Sequence, residues 1–151
     1  MDVTIQRVPG QPTACVHAHA SIGQIGETFR EALPRVIHHV EEVGAVIAGP
    51  PYTRYLAYGP EGVDMEIGFP TVTEIPHNGD VAPAELPEVE AAIAVHEGPY
   101  ERLGATYEAM EHWIREHGHV PAEGMWEIYL NDPGAVPPDQ LRTEIVWPLK
   151  S

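Results

Sequence analysis

The 151-residue chain has one cysteine, Cys15, so it cannot form an internal disulfide, and a reducing cytoplasm is the simplest compartment. Its flanks, Pro12-Thr13-Ala14 and Val16, read as the start of a strand, where a buried, inert thiol is expected. Basic residues are scarce: 8 Lys and Arg stand against 23 Asp and Glu, a formal charge of -15. A phosphate backbone is held through a basic footprint, so direct nucleic-acid binding is not expected. An acidic field favours cationic small molecules, although its commonest role is solubility. No apolar run approaches membrane-spanning length, and Met1 to Gly10 lacks the basic-then-apolar order of a secretion signal. A soluble cytoplasmic protein without a membrane partner is expected. The chain also lacks a nucleophile elbow, a phosphate-binding glycine loop and a zinc-protease helix. Gly23 and Gly26 do not have the surroundings of a dinucleotide site, and no cofactor is expected.

What the chain does contain is one supersecondary unit written twice. At a shift of 74, Gly44, Val46, Ala48, Tyr55 and Leu56 fall on Gly118, Val120, Ala122, Tyr129 and Leu130, with Tyr52 on Trp126. At a shift of 78, Glu66-Ile67-Gly68-Phe69-Pro70 falls on Glu144-Ile145-Val146-Trp147-Pro148. Duplicated halves of a small domain pack about a pseudo-two-fold axis, and the seam between them is a natural place for a cleft.

Alternation and helical spacing fill in each half. Val3 to Val8 and Ala14 to Ala20 read as strands, separated by Pro9-Gly10-Gln11-Pro12. After Ser21 as N-cap, Ile22, Ile25, Phe29, Leu33, Val36, Val40 and Val43 mark a helix that ends at Gly44. Pro34, inside it, is expected to kink it or mark a turn. Tyr52 to Tyr58 and Val63 to Phe69 read as strands around Gly59-Pro60-Glu61-Gly62. In the second half, the strand Ala91 to His96 leads into a helix striped by Tyr100, Leu103, Tyr107, Met110 and Ile114, with Gly118 past its end. Strands at Trp126 to Leu130 and Thr143 to Trp147 follow. The expectation is a single α+β domain of duplicated β-α-β-β units, two helices lying on a mostly antiparallel sheet. The halves span about 1–72 and 89–151, and the linker about 73–88 is rich in Pro, Gly, Asn and acid.

Four segments taken together carry a family likeness. They are His96-Glu97-Gly98-Pro99-Tyr100, then Trp113, then Trp126-Glu127-Ile128-Tyr129-Leu130-Asn131-Asp132-Pro133, and Thr143-Glu144-Ile145-Val146-Trp147-Pro148-Leu149. In this order and spacing the chain resembles the GyrI-like small-molecule-binding domain, the effector-binding module of AraC-type and MerR-type multidrug regulators. The resemblance implies two halves around an aromatic pocket and a buried acid, here at Glu127, that meets lipophilic cations. Some stand-alone relatives are hydrolases of cyclopropane-type genotoxins, which keeps an enzyme reading open.

Strand alternation places Glu127 and Tyr129 on one side, with Trp126, Ile128 and Leu130 on the other. A carboxylate among apolar strand residues is costly to bury unless it is paired or meets a positively charged visitor. Without the family likeness, Glu127 would be read as facing solvent or pairing with Arg142. The first half has Thr53 at this position, so only one half carries the acid. Tyr52, Tyr55, Tyr100, Trp113, Trp126, Tyr129 and Trp147 could hold a flat or cationic ligand by stacking and cation–π attraction. Aromatics at strand or helix spacing are also ordinary core, the role assigned to Tyr107.

If the chain is a hydrolase, Glu127 would be the acid or base, its pKa raised by desolvation. Tyr129 or Tyr55 would stabilise charge on the ligand. His17-x-His19 and His117-x-His119 are too sparse to define a metal site, so no metal is expected. The preferred reading is stand-alone binding of hydrophobic, cationic or planar small molecules, for sequestration or sensing. The alternatives are the genotoxin hydrolase and a protein-interaction module resembling gyrase inhibitors, which would expose an apolar patch.

Overall fold

The computed structural model describes residues 2–77 and 79–151; the side chain of Ile22, first in the expected helical stripe, lies outside that description. The chain divides into two compact units. An N-terminal unit comprises Pro9–Glu88, and a C-terminal unit combines Val89–Ser151 with Met1–Val8. Both have the same α+β plan, one helix on four antiparallel strands, one strand more than the β-α-β-β unit read from the repeat.

The N-terminal unit contains β2 (Gln11–Ala20), α1 (Ile25–Glu42), β3 (Tyr52–Gly59), β4 (Gly62–Pro70) and β5 (Val81–Leu86); β1 (Thr4–Val8) precedes it in the chain. Its pairing order is β3-β4-β2-β5. The C-terminal unit contains β6 (Val89–Glu97), α2 (Leu103–Glu116), β7 (Trp126–Tyr129) and β8 (Arg142–Pro148), paired β7-β8-β6-β1. Among the described residues, no helix is long and apolar enough to cross a membrane.

Strand β5 lies inside the segment 73–88 that reads as linker, and β1 pairs with β6 rather than with its chain neighbour β2. Pro83 and the acidic residues around β5 hide it from propensity rules. An edge strand tolerates a proline because its outward N–H has no ladder partner. The pairing follows from turn chemistry. The links Pro9-Gly10 and Pro87-Glu88 each begin with proline, whose fixed negative φ excludes the primed turns of two-residue hairpins. The true hairpin at Pro60-Glu61 also begins with proline, and there Gly62 at φ 131 completes the reversal. Neither two-residue link is followed by a positive-φ residue.

Both helices close alike. Gly44 (φ 71) and Gly118 (φ 82) take the left-handed position, and the next residues, Ala45 and His119, donate back to Val40 and Ile114 carbonyls. Helix α1 continues through Pro34, so the proline does not mark a turn. The proline sits on the exposed face, where water can satisfy the carbonyl it leaves unpaired. The apolar stripes then bury as the spacing implies. Ala32, Val36 and Val40 pack on Ala14, Val16, Met65 and Ile67, and Leu103, Met110 and Ile114 pack on Ala92, Ala94 and Ile145. Val43, the last residue of the expected stripe, is exposed at the helix end.

Candidate functional site

Strand register decides which side chains share a face. Glu127 lies opposite Ile145 and Tyr129 opposite Thr143, while Ala94 and His96 flank Ile145 and Thr143 from β6. Ile145 and Ala94 belong to the core under α2, so Glu127, Tyr129, Thr143 and His96 occupy the helix-covered face of this sheet. Glu127 is only 3% exposed. The Tyr129 hydroxyl donates to its Oε1 at 2.8 Å, a contact permitted because residues i and i+2 of a strand point the same way.

Tyr100 joins the pair from the turn that opens α2. Its ring meets Tyr129 edge to face, with centroids 5.9 Å apart. Burial raises the Tyr100 phenol pKa, and the nearby Asp132 and Glu127 carboxylates raise it further. The hydroxyl is therefore a proton donor throughout the neutral range. Asp132 itself is engaged in a loop turn, accepting from the Gly134 amide at 2.8 Å. His96 is buried and bonded at both ring nitrogens. A carbonyl can only accept, so Nε2–H donates to Pro99 O (3.0 Å) and Nδ1 is left to accept from Thr106 (2.7 Å). That bond fixes the Pro99 turn from which Tyr100 projects. Arg142, the alternative partner for Glu127, instead lies 3.9 Å from Glu97 at the surface.

The other expected ligand residues are dispersed. Trp126 is buried on the opposite face of β7 from Glu127. The Trp147 indole donates to Ala122 O at 3.1 Å, and its ring meets Tyr107 edge-on at 6.0 Å. Trp113 stacks on His117 at 3.9 Å. In the N-terminal unit, Tyr52 is buried with its hydroxyl on Thr13 at 2.9 Å, and Tyr55 packs against the core beside Tyr58. Within the C-terminal unit, then, the structure brings together Glu127, Tyr129 and Tyr100. The sequence reading overlooked Thr143 and His96. Alternation in Thr143-Glu144-Ile145-Val146-Trp147 does set Thr143 in line with two large apolar residues, but threonine is common in strands and gives no signal by itself.

Elsewhere, Cys15 is buried and its thiol pushed up to about 12, chiefly by burial and then by the charge of Glu66. The thiol therefore stays protonated and unreactive. His17 and His19 are exposed, and among the described residues no three His, Cys, Asp or Glu cluster as metal ligands. A cleft of about 670 Å³ beside His96 is lined by Asp2, Val95, Glu97, Arg102, Ala105 and Thr106 and does not include Glu127.

The sequence matches the GyrI-like small molecule binding domain over residues 1–150. A comparison with curated proteins returns no match. Among solved structures, the EcmrR C-terminal domain gives a TM-score of 0.86 at 16% identity, covering 99% of this chain and 98% of that one. A hydrolase encoded by lin2189 from Listeria innocua gives 0.73 at 16% identity, over 98% and 91%. SAV2435 bound to tetraphenylphosphonium gives 0.70 at 12% identity, over 100% and 95%. At these identities the likeness speaks for the fold, and the family assignment rests on the sequence match. Matched over all but its last residue, the chain belongs to the GyrI-like small-molecule-binding domains.

Proposed function

We propose that this domain binds hydrophobic, cationic or planar molecules through the Glu127 carboxylate, with Tyr129 orienting the acid and Tyr100 offering an aromatic wall. It would serve to sequester such molecules or to sense them. The observation that carries this reading is a carboxylate 3% exposed on a helix-covered sheet face whose neighbours are Ile145 and Ala94. A carboxylate held on a dry, apolar face attracts a cation more strongly than one in water, because the low dielectric there screens the pair less. Tyr129 holds the carboxylate in one orientation, which lowers the ordering cost on binding. The tetraphenylphosphonium bound to SAV2435 is a ligand of the same class.

Calorimetric titration of wild type and Glu127→Gln with tetraphenylphosphonium tests the reading. The neutral variant is expected to lose about thirtyfold in affinity, or ~2 kcal/mol. Equal affinity in the two proteins removes the anchor role.

The Tyr129–Glu127 hydrogen bond also favours a second reading, a hydrolase of strained electrophilic rings. Glu127 would take a proton from water as the water oxygen bonds to a ring carbon. The electrons of the breaking ring bond would pass to a conjugated carbonyl, where a tyrosine O–H stabilises the oxyanion. Incubation with a cyclopropane alkylator followed by product analysis separates the two readings. A binder returns the compound intact, whereas a hydrolase returns the ring-opened alcohol.

A further inference from the structure

Thr143 is fully buried, at 0% exposure, and among the described residues its hydroxyl has no hydrogen-bond partner. Both side chains flanking it across the sheet are committed elsewhere. Tyr129 donates to Glu127, and His96 is engaged with Thr106 and Pro99. A buried unpaired hydroxyl is destabilising, and a valine of the same shape would avoid that cost. The equivalent position of the N-terminal unit, Met65 opposite Ala18 and Tyr55, is fully buried and apolar, so this fold does not require a hydroxyl there.

Thr143 lies two residues along β8 from Ile145, directly opposite Tyr129 and diagonal to Glu127. Diagonal side chains on one face of an antiparallel pair are within about 8 Å of each other. Because Glu127 is itself almost fully covered, any molecule reaching its carboxylate must part the side chains over this face. At that spacing, a ligand the size of a phenyl-bearing cation seated on the carboxylate would also lie beside Thr143.

We propose that Thr143 is a specificity-determining residue whose hydroxyl hydrogen-bonds an oxygen carried by the ligand, so that the site prefers lipophilic cations bearing a hydroxyl or carbonyl over pure hydrocarbon cations. This inference rests on Glu127 being the cation anchor. A ligand oxygen would satisfy a group the folded protein leaves unpaired, and a hydrocarbon ligand would leave it so.

The test uses a matched pair of probes, tetraphenylphosphonium and its derivatives carrying one phenolic hydroxyl at the meta or para position. Wild type is expected to bind at least one hydroxylated cation about tenfold more tightly than the parent, the worth of one hydrogen bond in a dry site. Thr143→Val should erase that ratio while keeping parent affinity and raising the melting temperature. Thr143→Ser, which retains the hydroxyl, should keep the preference. A ratio unchanged in Thr143→Val, or no preference in wild type, overturns the assignment while leaving the anchor reading intact. Failure of every cation to bind wild type removes the anchor reading itself, and this inference with it.

Discussion

The two units share a plan and differ in what they place beneath the helix. Helices α1 and α2 start after equivalent turns, and their fifth residues are Phe29 and Tyr107, each packed on its own core. Across the sheets, Ala18, Met65 and Thr53 of the N-terminal unit correspond in register to His96, Thr143 and Glu127 of the C-terminal unit. One copy thus keeps a largely apolar helix–sheet layer, while the other takes in an acid, an imidazole and several hydroxyls. Among the described residues, the hydroxyls of Tyr107 and Thr143 are buried without partners. Polar groups that lower stability are commonly kept where they serve recognition, and on the proposed reading the C-terminal copy is the one that meets the ligand.

The largest effect that can break this comparison concerns backbone approach. A Cβ on Gly68 would lie 1.9 Å from Ala14 O, so the β2–β4 ladder admits no side chain there. The equivalent strand position on β8 is the buried Val146. Gly68→Ala is expected to cost at least ~4 kcal/mol in denaturant unfolding, and Val146→Ala ~2 kcal/mol through lost packing. Similar losses would show that the two ladders are not distinguished by this close contact.

Next in size is Met65→Thr, which gives the N-terminal unit the residue of the C-terminal one. It removes buried thioether packing and adds a hydroxyl, an expected loss of ~3 kcal/mol with ligand affinity untouched. Binding sharpens the contrast further: Glu127→Gln should weaken cation binding, and Thr53→Val, at the same place in the other copy, should leave the titration curve unchanged.

The smallest expected effect is electrostatic. Burial raises the pKa of Glu66 above its ordinary 4.5 despite the nearby charges of Arg54 and His17, and burial alone raises its counterpart Glu144. Among the described residues, one Glu66 carboxylate oxygen is buried without a partner. A folded pKa above the unfolded one means that the native state holds more protons between the two values. Stability therefore falls as pH rises from 4.5 through the raised value. Glu66→Gln should flatten that slope, exceeding wild type at neutral pH and matching it in acid. Urea midpoints measured across the window check this, and a parallel shift at every pH would assign the effect to packing instead.

Much of the fold was legible beforehand because it rests on local rules. Helical spacing marked both stripes, Gly44 and Gly118 marked the helix ends, and alternation put Glu127 and Tyr129 on one side of β7. Strand β5 was hidden by Pro83, and β1's partner because pairing between segments distant in the chain leaves no local mark. At the site, Glu127 stood out through the family likeness, since the residues alone would leave it facing solvent or paired with Arg142. Thr143 did not, because a threonine in a strand is unremarkable until its neighbours are known to be committed elsewhere.

By itself the amino-acid order determined the repeat, the element types, the helix ends and the face on which each strand residue lies. These depend on backbone geometry within a few residues. Only the tertiary structure decided that β1 completes the sheet of β6, that Tyr100 reaches Tyr129, and that the Thr143 hydroxyl is left unpaired among the described residues. Each of these depends on which distant segments come together, and pairing between segments is set by the packing of the whole chain.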